Sequence, residues 1–166
     1  MEFLQDFGAW AWARHHNPLS WYVRPLFLIP FSYFAWRRSL TGIAVTLVAL
    51  ATSMFWFPAP VTPDPRSAAF LEAERQYLLG PWNMAKIAFA ALIPAFFIAV
   101  AIAFWRRSIW IGLALINAAS LIKVGWSLHY GGQSGWTVVP PALIGLITIN
   151  ATTIWAFRRH KIKYSP

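Results

Sequence analysis

The chain has 166 residues, 58% of them hydrophobic and only 11% charged, with no cysteine and a formal net charge of +9. A soluble domain of this length cannot hide that much apolar surface, so the composition points to a bilayer, where lipid is itself the apolar solvent. The missing cysteines exclude disulfides, thiolate metal sites and cysteine nucleophiles. The positive charge is collected in short connections rather than in a soluble basic module, which argues against nucleic acid as a partner.

Taken in chain order, residues 2–14 form the first expected element, a short amphipathic surface helix with Phe3, Phe7 and Trp10 on one stripe, stopped by Asn17-Pro18. Residues 1–20 begin acidic, with Glu2 and Asp6, and do not read as a cleavable signal. A first apolar segment spans 21–36. It rises only ~24 Å, is interrupted by Pro25 and Pro30, and needs Arg24 to snorkel outward. A second covers 40–57. The following connection, 58–65, carries four prolines and reads as extended. Residues 65–79 form a second amphipathic helix with Asp64 as its N-cap and Phe70, Leu71, Tyr77 and Leu78 on one face. Three further apolar segments cover 84–105, 109–129 and 137–157.

Trp36-Arg37-Arg38, Trp105-Arg106-Arg107 and Trp155-Ala156-Phe157-Arg158-Arg159 punctuate the ends of three of these segments. With all five segments spanning, the doublets fall on one side with Lys161 and Lys163, and the five carboxylates (Glu2, Asp6, Asp64, Glu72, Glu74) fall on the other. The positive-inside rule then sets the N-terminus outside and the C-terminus in the cytoplasm. The expected fold class is thus an all-α integral membrane protein: a single multi-pass domain over 1–166, a five-helix transmembrane bundle with two surface helices, in a bacterial-type inner membrane. An internal repeat is suggested by Leu28-Ile29-Pro30 leading to Trp36-Arg37-Arg38-Ser39 and by Leu92-Ile93-Pro94 leading to Trp105-Arg106-Arg107-Ser108. Such duplication is known in transporters.

Polar groups within apolar segments mark contacts or pathways. Asn117, Ser120, Lys123 and Ser127 share one side of the fourth segment by their spacing. Asn117 lies ~15 Å from Arg107 and Asn150 ~12 Å from Arg158, so the two amides come to similar depth. They serve either interhelical hydrogen bonding or a solute pathway. Arg24, Lys86 and Lys123 reach one leaflet and form a candidate site for an anion or a lipid headgroup. His15, His16 and His129 are the weak candidates for haem or metal ligation; His160 extends the basic tail. No carboxylate lies within an apolar segment, which disfavours a proton relay or an acidic-ring channel.

No nucleophile elbow, phosphate loop or zinc-binding helix motif occurs. The first functional expectation is therefore an accessory or scaffold subunit without catalytic chemistry, needing no cofactor and binding lipid or a membrane partner, as a homo-oligomer or within a larger complex. The alternatives are a small oligomeric transporter or channel for an anion or neutral solute, and an outer-face haem or metal protein or enzyme.

Overall fold

A computed structural model describes residues 2–163, and the side chains of these except at positions 2, 4, 5 and 160–163. The side-chain expectations for Glu2, His160, Lys161 and Lys163 lie outside the described residues. The described chain is helical, without a strand. Its helices are α1 (Glu2–His15), α2 (Pro18–Leu26), α3 (Leu28–Trp36), α4 (Leu40–Thr52), α5 (Pro65–Leu79), α6 (Met84–Trp105), α7 (Ile109–Gly131) and α8 (Val139–Lys163). Short 3-10 turns at Ser53–Phe55 and Gly132–Val138 follow α4 and α7.

Among the described residues, two helical stretches, not five, are long and apolar enough to cross a membrane. They are Met84–Trp105, with mean hydropathy 2.7, and the continuous stretch Ile109–Arg159, with mean hydropathy 1.6. Only 17% and 22% of their most apolar windows are buried, the opposite of what the core helix of a soluble protein shows.

The expected spans differ from the observed helices for identifiable reasons. The first is divided at Phe27 into two nine-residue helices. Pro30 has no N–H to give the carbonyl four residues earlier, at Leu26, and the break falls there. The second ends early, with its last turn tightened to 3-10, so that the apolar helix is only Leu40–Phe55. The fourth and fifth are not separated by a loop but joined through helical turns at Gly132–Val138, where the chain doubles back. Asn117 of α7 meets Asn150 of α8, positions symmetric about that turn, so α7 and α8 run antiparallel.

The corners after α3 and α6 are built alike. Ser39 N–H bonds the Phe34 carbonyl and Arg38 N–H the Ala35 carbonyl; Ser108 and Arg107 do the same to Ala103 and Phe104. This is the Schellman arrangement, which puts the penultimate residue in the left-handed region usually given to glycine. Arg38 (φ 56°) and Arg107 (φ 63°) take that position here, at a cost of about 1–2 kcal/mol each. Each arginine reaches the opposite corner. Arg38 Nε donates to the Trp105 carbonyl at 3.3 Å, and the Arg107 guanidinium lies 4.4 Å from the Trp36 ring centroid. Two doublets thus share one end of the bundle. The antiparallel register of α7 and α8 carries the third, Arg158-Arg159, back to the same end.

The core lies toward that end. It is made by Phe31 and Ala35 of α3, Val100 and Phe104 of α6, Ile109, Leu113 and Ile116 of α7, and Ile149 of α8. At the other end α1 packs Phe7 and Trp10 on Phe55. Asp64 caps α5, accepting from Ser67 N–H at 2.8 Å, and this bond holds its carboxyl below the usual range. Phe70 and Leu71 of α5 are buried, and Tyr77 packs on Trp126 and Tyr130 of α7. α5 therefore turns its apolar face onto the bundle, whereas α1 seats Phe7 and Trp10 only partly and leaves Phe3 of the expected stripe exposed.

Candidate functional site

Asn117 and Asn150 face each other inside the α7–α8 pair. Each Nδ2 donates to the other's Oδ1 at 3.1 Å. Each also donates to the carbonyl four residues back, Leu113 at 2.6 Å and Leu146 at 2.8 Å. A primary amide has two N–H donors, so both are used on both residues. Ser120 is half-buried on the same helix. Ser127 is fully buried, and its Oγ has no hydrogen-bond partner among the described residues. A double-mutant cycle with Asn117→Leu and Asn150→Leu, read from thermal unfolding in detergent, is expected to give a coupling of about 0.6–1.7 kcal/mol. Strict additivity would show that the two amides do not support each other.

The three cations grouped by depth in the sequence take different partners in the structure. Lys86, at the start of α6, is buried, 6% exposed. Its Nζ donates to the carbonyls of Tyr77, Leu78 and Gly80, which close the C-terminal end of α5. The Tyr77 and Trp82 rings flank it at 4.8 and 4.6 Å. An ammonium has three donors and cations favour a helix C-terminus, so Lys86 is consumed by the fold.

Arg24 and Lys123 belong to another group, which includes two residues the sequence did not assign to it. Lys123 pairs with Glu74 of α5 at 3.1 Å and lies over the Trp126 ring at 4.6 Å. Its side chain is 50% exposed, that of Glu74 24%. His15, at the end of α1, is buried at 6% exposure. Its ring tilts on Trp21 at 6.2 Å, Trp21 Nε1 donates to its carbonyl at 3.0 Å, and Trp21 meets Phe70 edge-on at 5.9 Å. Burial first, then the Arg24 charge, lowers the His15 pKa to about 4, so the imidazole is neutral at pH 7. The fields of Glu74 and Lys123 also reach it. Two nitrogens of this group, His15 Nδ1 and Arg24 Nε, are buried without a hydrogen-bond partner among the described residues.

The remaining histidines are placed differently. His16 lies edge-on to Trp12, with its Nδ1 2.9 Å from the Trp12 carbonyl, and His129 stacks edge-on against Tyr130. Among the described residues, no three side chains of the metal-ligating types converge. A cleft of about 420 Å³ opens at this end, with Trp21, Tyr22, Arg66 and Trp136 among its walls.

Sequence spacing did not point to His15 and Glu74 as neighbours. The signal available was limited to a helix, α5, with one acid four residues after a buried phenylalanine. Only tertiary packing brings Glu74 over α7 and His15 under α5. No protein-family model, curated protein or solved structure matches this chain.

Proposed function

We propose that the protein is a membrane-embedded helical scaffold: an accessory subunit that binds lipid or a partner's transmembrane helices and carries out no catalysis of its own. The observation that carries this reading is the closed amide pair. Every N–H of Asn117 and Asn150 is spent within the bundle, which leaves no side-chain donor there for a passing solute.

The outward surface supports the same reading. Ile93, Ile98 and Ile102 of α6, Ile111, Leu121 and Ile122 of α7, and Leu143 and Ile147 of α8 are all exposed. Apolar surface on this scale is stable only against lipid or another apolar surface. In this reading α6, α7 and α8 cross the bilayer, α2, α3 and α4 pack beside them, and the arginine doublets mark one water boundary. The positive-inside rule makes that boundary cytoplasmic and the face covered by α1 and α5 the outer one.

Gentle extraction from native membranes tests the scaffold role. A reproducible heteromeric complex, identified by mass spectrometry of the co-purified chains, is expected. A lone monodisperse homo-oligomer that conducts a solute in liposomes would replace this reading with transport.

A further inference from the structure

We infer that Arg24 and His15 Nδ1, with Lys123 at the entrance, form a binding site for a phosphodiester monoanion at the bundle end covered by α5. This inference rests on the membrane reading above and gives the scaffold a ligand class. Its basis is the pair of buried nitrogens with no partner, on side chains from two different helices. Leaving a buried donor or acceptor unpaired costs about 1–3 kcal/mol, and more when it is charged. Arg24 follows Trp21 by one helical turn on α2, and Trp21 packs on His15, so the two groups lie on one side of α2 and point to a ligand that satisfies both.

The charge count selects the ligand. Arg24 and Lys123 contribute two positive charges, Glu74 one negative, and His15 none, so the cluster carries one net positive charge. A monoanion balances it. A guanidinium presents a planar fork of N–H groups suited to two oxygens of one phosphoryl group, and a neutral imidazole can supply one further N–H. Lys123 and Glu74 remain partly exposed, so the approach is from their side. Glu74 acts as the resident counter-ion, holding Lys123 in place and moderating the affinity. Lys86 takes no part, because α5 already uses its donors.

Two sources offer this chemistry, a phospholipid headgroup and a free phosphodiester. The test titrates purified full-length protein in detergent with short-chain phosphatidylglycerol, with the matching diacylglycerol as the phosphate-free control, and counts bound molecules by native mass spectrometry. Phosphatidylglycerol is expected to bind and diacylglycerol not. Arg24→Gln is expected to weaken binding about tenfold, and Glu74→Gln, by removing the counter-ion, to tighten it about threefold. Arg66→Gln, in the neighbouring cleft, is expected to leave it unchanged.

Competition by dimethyl phosphate at concentrations comparable with the lipid assigns the site to a free anion; competition only by lipid assigns it to a headgroup. Either result supports the shared chemistry. Parent-like binding in Arg24→Gln, or an equal loss in Arg66→Gln, overturns the site. Should Arg24→Gln fail to fold, the gain in Glu74→Gln decides, since misfolding does not tighten binding; no gain overturns it. Failure of the parent to insert into liposomes sinks the membrane reading itself, whereas insertion without Arg24 dependence sinks only this site.

Discussion

Gly135→Ala is expected to destabilise the fold by about 3 kcal/mol, among the largest effects of any single methyl group in this chain. Gly135 lies in the turn Gly132–Val138, where α7 gives way to α8. A Cβ built there falls 2.2 Å from the Ser127 carbonyl oxygen and 2.7 Å from its carbon. These are backbone atoms of α7, and no rotamer change moves them aside. Relief requires shifting the turn, and the turn sets the register that brings Asn117 to Asn150. The comparison is Gly125→Ala, ten residues earlier, where nothing lies within 4 Å of the added methyl. Ala is favoured over Gly in a helix by about 0.8–1 kcal/mol, so this variant is expected to be more stable than the parent. Thermal midpoints of both variants in one detergent check the pair. Equal midpoints would mean that the close approach of turn and helix is not a feature of the folded protein.

Lys86→Met is expected to cost about 3 kcal/mol, although it puts an apolar side chain at a buried position. The carbonyls of Tyr77 and Gly80 lose their side-chain donor, that of Leu78 keeps only Trp82 Nε1, and α5 loses the charge at its C-terminal end. The effect is expected to be local first. Hydrogen exchange at the last turn of α5 should rise before the midpoint of the whole molecule is reached. A Lys86→Met protein as stable as the parent, with α5 equally protected, would show that Lys86 is a snorkelling side chain and not a cap.

Much of the architecture was legible in the residues because apolar runs and the charges that end them are coarse features. Two long helices follow from runs of Ile, Ala and Phe, and the doublets after Trp36 and Trp105 mark the corners where those runs end. The depth of Asn117 and Asn150 follows from helical rise alone, which needs no knowledge of packing. The number of long spans did not follow, because apolar composition does not reveal where a helix breaks. Pro25 and Pro30 were visible as interruptions. That Pro30 and not Pro25 divides the segment at Phe27 depends on which carbonyl is left without a donor.

The site was less legible for a related reason. Arg24, Lys86 and Lys123 are equivalent when only depth along a helix is counted. Their partners are set by how α5 lies across the end of the bundle, which depends on Phe70, Leu71 and Tyr77 finding their contacts. Packing gives Lys86 to three carbonyls and Lys123 to Glu74. It buries His15, which the sequence does not distinguish from the adjacent His16. The left-handed arginines show the same limit. Nothing in Trp-Arg-Arg-Ser announces a position normally given to glycine. The cost becomes intelligible only when Arg38 and Arg107 are seen reaching across to each other's tryptophan corner.

In the proposed threading all three arginine doublets lie at one water boundary, opposite the end covered by α5. The chain contains no cysteine, so single-cysteine variants report on one position at a time. Arg37→Cys, Arg159→Cys and Gln133→Cys, labelled with a membrane-impermeant maleimide in sealed vesicles of known orientation, test it most directly. Positions 37 and 159 are expected to label from one side and position 133 only from the other. Labelling of 37 and 159 from opposite sides would contradict the threading.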